Sequence, residues 1–189
     1  MIPEQSNARR VLNGELTGKA EEEFRQLEFE LRGSAGKGSP RVIRAILACR
    51  LGARLEEVAG GLDWEEFESF CADLFRIRGF VVEENLVIRR PRAQLDLLAH
   101  SDLVSLAVDC KHWKRTMGVP SLARCAEAQR RRARLLREGR ESLKPIATVI
   151  LLLADETLRF VGGAAVVPVR TLGSFLDGIA GYSVMLEFD

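Results

Sequence analysis

Cysteine pairs, histidine, tyrosine and long apolar runs are all scarce in this chain of 189 residues. The four cysteines (Cys49, Cys71, Cys110, Cys125) stand 22, 39 and 15 positions apart with no CxxC pair, which argues against structural zinc and a disulfide framework and for reduced thiols. His100 and His112 are the only histidines, so a His-built metal site or a Ser-His hydrolase is a poor fit. A single tyrosine argues against an aromatic-rich track for single-stranded nucleic acid, and Trp64 and Trp113 are expected in the core. The longest apolar run, Ile146 to Ala154 with Thr148 inside it, is far short of the roughly 18 residues of a membrane span. MIPEQSNARR carries no apolar stretch behind its charges, so no secretory signal is expected and a cytoplasmic location is.

What is present is an ordinary globular composition, 47% hydrophobic and 29% charged, with a net charge of +1. That near-neutrality hides an asymmetry. From Lys111 to Lys144 there are eleven Lys or Arg against three Glu, whereas residues 1 to 30 hold seven acids and four bases. A local basic surface on a neutral protein points to a polyanion bound at one place.

Residues 17–32 read as a charged helix with a thin stripe of Phe24, Leu27 and Leu31. GSAGKGSP (33–40) reads as a Gly/Ser linker. It is not a phosphate loop, because Leu31 stands where the first glycine of GxxxxGK belongs and Gly38 follows Lys37. Residues 41–62 read as two short helices joined by LGAR, more plausibly a packing appendage than a helix-turn-helix. The expected organisation is therefore a helical appendage over 1–60 and a main domain over 61–189.

A helix over 63–78 has Asp63 as N-cap, Glu66 three residues on to close a capping box, and Gly79 as its stop, with Phe67, Phe70, Cys71, Leu74 and Ile77 on its buried face. After Gly79 the period changes to two. FVV (80–82), QLDLLAH (94–100) and LVSLAVDCKHW (103–113) read as strands, PSLARCAEAQRRRARLLREG as a helix, TVILLLA (148–154) as a buried strand, and AVVPV (165–169) as an edge strand because of Pro168. TLGSFLDGI closes as a short helix. This order predicts an α/β fold with a mixed central sheet flanked by helices.

Asp109 and Lys111 are two apart on one strand and so share a face. A hairpin centred between Asp102 and Leu103 would put Asp96 directly opposite Asp109, and two carboxylates so placed repel each other unless a cation lies between them. Carboxylate oxygens suit Mg²⁺ or Mn²⁺, and a neighbouring ammonium can orient water and stabilise charge growing on a phosphoryl group. Glu68 is a further candidate, because its helical neighbours Trp64, Cys71 and Phe75 place it at the edge of a buried face. The helix after the strand has an inward stripe of Leu122, Ala126, Gln129, Ala133 and Leu136 in which Gln129 needs a partner. Opposite it, Arg130, Arg134 and Arg137 line up at a spacing suited to backbone phosphates, with Lys114 and Arg115 adding to the same basic segment.

These residues resemble the PD-(D/E)xK nuclease superfamily, with its restriction-endonuclease-like fold, and particularly its Mrr-type restriction enzymes and archaeal Holliday junction resolvases. The matching pieces are Glu68 in WEEFESFCADLFRIRGF, Asp96 in QLDLLAH, and Asp109 and Lys111 in AVDCKHW, over about residues 62–175. One departure is that Arg92, Ala93 and Gln94 precede Asp96 where family members often carry a glycine. The resemblance implies a Mg²⁺-dependent DNA endonuclease, with Mn²⁺ able to substitute. Asp96, Asp109 and the carbonyl of Cys110 would hold the metal, Lys111 would position the attacking water, Glu68 would support the metal or water, and Gln129 would be an accessory group. It also implies a homodimer acting on DNA. The alternative is a DNA-binding or assembly module that keeps the fold without catalysis.

Overall fold

The computed structural model describes residues 3–33, 38–89, 91–140, 144–153, 157–182 and 185–188. They divide into two compact units, Met1–Ile77 and Arg78–Asp189, so the boundary expected near residue 60 falls inside the first unit.

The first unit is helical: α1 (Pro3–Leu12), α2 (Lys19–Gly33), α3 (Pro40–Arg50), α4 (Leu55–Gly60) and α5 (Trp64–Ile77). Of the linker expected at 33–40, residues 34–37 lie outside the described ones. The Ser39 hydroxyl accepts the Val42 N–H at 3.3 Å and Pro40 opens the first turn, so the linker's last residues are the N-cap of α3. The capping box of α5 is formed reciprocally. Glu66 N–H donates to Asp63 at 2.8 Å, and Asp63 N–H donates to the Glu66 carboxylate at 3.1 Å.

The buried face of α5 is rotated from the expected one. Phe67, Phe70 and Cys71 are buried as the apolar spacing requires, but Leu74 is half-buried and Ile77 exposed, and the helix buries Phe75, Asp73 and Arg76 instead. Arg76 donates to Asp73 at 2.8 Å, one turn apart, which lets two charges leave water together.

The second unit is built on one six-stranded sheet in the order β1-β2-β3-β4-β6-β5, from β1 (Val81–Arg89), β2 (Arg92–His100), β3 (Ser105–Lys111), β4 (Ile146–Leu152), β5 (Arg159–Val161) and β6 (Ala164–Pro168). β1 to β3 form an antiparallel meander. β3, β4 and β6 run parallel, and α6 (Val119–Gly139) is the crossover between β3 and β4. A short α7 (Leu172–Asp177) follows β6. This is the α/β, restriction-endonuclease-like arrangement: a mixed sheet with flanking helices, preceded by a helical region.

β4 is buried along its whole length, which explains why it reads as an unbroken apolar run rather than an alternating one. β5 went unseen in the sequence because three residues carry too little periodicity to register. Its presence corrects the placing of AVVPV. β6 lies inside the sheet, between β4 and β5, and tolerates Pro168 because the β5 pairing stops at Val166, two residues earlier.

The inward stripe of α6 is as its spacing predicts: Leu122, Ala126, Gln129, Ala133 and Leu136 are its buried residues. Its last turns rest on Leu86, Leu95, Leu98, Ala107 and Ile146, and its first on Met117, Ile150, Leu152 and Val166. Burying Leu122 and Leu136 stabilises this docking by about 1.5–3 kcal/mol each. Gln129 lies on the stripe between these two apolar patches.

Candidate active site

The sheet gathers four of the expected residues. The β2–β3 turn closes with Ser101 N–H donating to the Val104 carbonyl at 2.9 Å, and the register runs His100 opposite Ser105 through Leu97 opposite Val108. One further step of that register would set Asp96 opposite Asp109. There the regular ladder ends, and the Asp96 carboxylate itself accepts the Cys110 N–H at 2.8 Å.

Asp96 can do this because the pleat is broken at its position. Leu95 and Leu98 both pack under α6, although residues three apart on a regular strand face opposite ways. Asn85, opposite the break on β1, has φ 54°, a left-handed conformation that asparagine tolerates better than most residues. N–H and C=O of one strand residue lie on the same edge, so the Cys110 carbonyl is directed toward β2 and Asp96 as well.

Asp109 is nearly buried, and each of its oxygens meets a cation. Lys111 Nζ lies 2.8 Å from Oδ2 and Arg132 Nη1 lies 3.2 Å from Oδ1. Arg132 also donates to Gln129 Oε1 at 3.0 Å. The Gln129 side chain is fully buried and, among the described residues, its Nε2 has no hydrogen-bond partner. A buried donor left unmade costs about 1–3 kcal/mol, so the amide is suited to an incoming oxygen such as water or phosphate.

The electrostatics match this packing. Burial, and after it the charge of Asp109, pushes the Asp96 carboxyl above the usual carboxylate range, against the pull of the Cys110 N–H, Lys111 and Arg132. Burial is also the largest single influence on Lys111 and disfavours its charge. The hydrogen bond to Asp109 and the charges of Asp109 and Asp96 together outweigh it, so its pKa is raised and it stays an ammonium at neutral pH.

Arg132 was not among the expected residues. The signal was present, since it stands three positions from Gln129 and so on the same flank of α6. Of the arginines singled out instead, Arg130 donates to the Gly162 carbonyl at 3.0 Å and pairs with Glu187, which ties α6 to the C-terminal segment. Arg134 is exposed and Arg137 half-buried. Lys114 and Arg115 are exposed in the loop after β3, on an open groove of about 580 Å³ that also includes Trp113, Met117 and Ser121. Trp113 and Trp64 are not core residues. They are 48% and 60% exposed, because each lies at the border of an element rather than on its inward stripe. Glu68 is half-buried on α5, in the first unit. His100 is occupied with Ser105 at 3.1 Å and Glu83 at 3.2 Å.

Two neighbouring carboxylates on adjacent strands, with a lysine two residues after the second, are set beside the comparisons. Residues 60–135 match the family model Mrr_cat, described as "Restriction endonuclease". Over this segment the chain is similar to restriction endonuclease domains of the PD-(D/E)xK superfamily. The segment runs from the end of α4 through α5 and the β1–β3 meander into α6. An uncharacterized protein of Archaeoglobus fulgidus is 28% identical over 127 residues, 66% of this chain and 98% of that one. No solved structure matches the chain. The match suggests a nuclease-type function, with DNA as the substrate it implies. Among the described residues no helix is long and apolar enough to cross a membrane.

The donor set fits a hard divalent cation. Among the described residues no three His, Cys, Asp or Glu side chains are gathered into a ready-made cage. The protein's share would be two carboxylates and one backbone carbonyl, and Mg²⁺ commonly takes few protein ligands and completes its shell with water and substrate oxygens. The raised pKa of Asp96, buried beside Asp109, and the unmade Gln129 donor both fit such an occupant.

Proposed function

We propose that the protein is a Mg²⁺-dependent DNA endonuclease, with Mn²⁺ able to replace Mg²⁺. The observation that carries this reading is the gathering of Asp96, whose carboxylate accepts the Cys110 N–H, with Asp109 and with Lys111 on Asp109. Asp96, Asp109 and the Cys110 carbonyl would hold the metal. It would supply positive charge and Lewis-acid polarisation of the scissile phosphoryl group.

The chain's own groups do the rest. Lys111, kept protonated by its acidic neighbours, orients the attacking water and stabilises charge on the phosphoryl oxygens rather than acting as a base. Gln129 Nε2 donates to the same oxygens or to that water. Arg132 balances Asp109 when no cation is present. Glu68 is the proposed supporting acid, and Glu68→Gln tests that role by itself. Lys114, Arg115, Arg130, Arg134 and Arg137 are proposed contacts to the DNA backbone. A homodimer, one site per strand, would suit restriction-type or junction cutting.

The test is incubation with labelled duplex, flap, four-way and single-stranded DNA, and with RNA, with and without Mg²⁺. Metal-dependent cleavage lost in Asp109→Ala is expected, and equal cleavage by the two proteins would remove the proposal. Retained DNA binding without any cleavage would leave a nuclease-fold binding module in its place.

A further inference from the structure

We infer that the groove beside the site holds one nucleotide displaced from the base stack, with Trp113 as its stacking platform, and that the enzyme therefore favours DNA carrying an unpaired nucleotide next to the scissile phosphate. This rests on the nuclease reading and adds a substrate class to it.

Trp113 follows Lys111 by two residues, at the point where β3 ends, and its large apolar ring is 48% exposed. Lys111 Nζ lies 5.9 Å from the ring centroid, so the ring is joined to the same ammonium that binds Asp109. A ligand lying on the ring is thereby near the ammonium that binds Asp109.

The groove of about 580 Å³ lies within the range of small-molecule sites. Its chemistry is that of a nucleotide. Trp113 offers a π-face, buried Met117 an apolar patch, exposed Lys114 and Arg115 offer cations for phosphate, and Ser121 a hydroxyl for phosphate or base edge. The first turn of α6, which borders the groove at Gly118 and Ser121, contains no acid to repel phosphate.

Stacking decides the substrate class. A base within a continuous duplex has both faces covered by its neighbours, whereas a displaced or unpaired base has a face to offer. One ring supplies one step of stacking, which suits a single nucleotide and not a long single-stranded tract.

The sequence has just two tryptophans, so Trp64→Phe leaves Trp113 as the sole indole fluorophore. Trp64 is 60% exposed on the first unit and its replacement should be tolerated. In EDTA, where no cleavage occurs, a duplex with a single unpaired thymine should quench the fluorescence of this variant saturably, and the matching continuous duplex should quench it far less. Trp113→Ala should reduce the preference for the bulged over the continuous duplex by about tenfold, in binding and in Mg²⁺-dependent cleavage, and Trp113→Phe by less. Wild-type protein that binds and cuts both duplexes equally would overturn this inference alone. So would Trp113→Ala that keeps the preference while changing the sedimentation coefficient, since the groove would then be a contact between copies. Wild-type protein that binds neither duplex would overturn the nuclease reading as well.

Discussion

Replacing Gln129 by methionine should stabilise the metal-free protein and cripple the enzyme. The amide is fully buried between two apolar patches under α6, its Nε2 makes no hydrogen bond among the described residues, and its Oε1 accepts one from Arg132 at 3.0 Å. Methionine has nearly the same length and helix propensity, so packing and backbone terms roughly cancel. Removing the unmade donor returns about 1–3 kcal/mol. The lost hydrogen bond from Arg132 offsets roughly 0.5–1 kcal/mol of that, because this guanidinium is about a third exposed and keeps its contact with Asp109. The balance is about 1 kcal/mol of added stability, or about 2–4 °C in Tm for a chain of this size. Urea unfolding in EDTA measures it. Metal-dependent cleavage by the same variant should fall at least about tenfold, since the amide serves an oxygen that arrives only with substrate. A variant destabilised by more than about 1 kcal/mol, with cleavage unchanged, would show a satisfied core amide and refute the reasoning.

Asp109→Ala and Lys111→Ala should each lower cleavage at least about 100-fold with DNA affinity nearly intact, because these groups act on the transition state, and gel shifts in Ca²⁺ check the second half. Folding raises the Asp96 carboxyl, so metal-free stability should fall as pH rises from about 3.9 through the raised value and then level off. Asp96→Asn is neutral throughout and should therefore gain on wild type, with a larger urea-unfolding difference at neutral pH than near pH 4; an advantage that shrinks as pH rises would contradict the cause assigned to the shift. Arg134→Gln with Arg137→Gln should flatten the dependence of log K on log salt by about 0.9 per lost phosphate contact, whereas Arg130→Gln should cost stability through Gly162 and Glu187. Asp63→Ala removes the capping box of α5 and should lower stability by about 1 kcal/mol, read from thermal unfolding.

Much of the site was legible because it is encoded in short-range periods. The α5 cap is a four-residue pattern, the α6 stripe a 3.6-residue one, and the hairpin centre between Asp102 and Leu103 follows from matching two alternating strands. Each depends on neighbours within a few positions, and sequence spacing is then spatial spacing. Beyond that reach the reading weakened. Ile77 fits the apolar period of α5, yet the helix turns to bury Asp73 and Arg76, because a paired charge can occupy a core position that its residue type would never predict.

By itself, then, the sequence determined the main elements from α5 to β4, the nearness of Asp96 to Asp109, the facing of Lys111 and the inward direction of Gln129. Tertiary structure alone decided which arginine of the run 130–132 meets Asp109, because adjacent helix positions differ by about 100° and the rotation of α6 over β3 selects Arg132. It also decided that β6 lies inside the sheet, through a partner strand of three residues, and that Trp113 stands open near the ammonium that binds Asp109. An aromatic at the end of a strand has no period to say which way it faces; that depends on what packs there, and a groove packs there instead of a core.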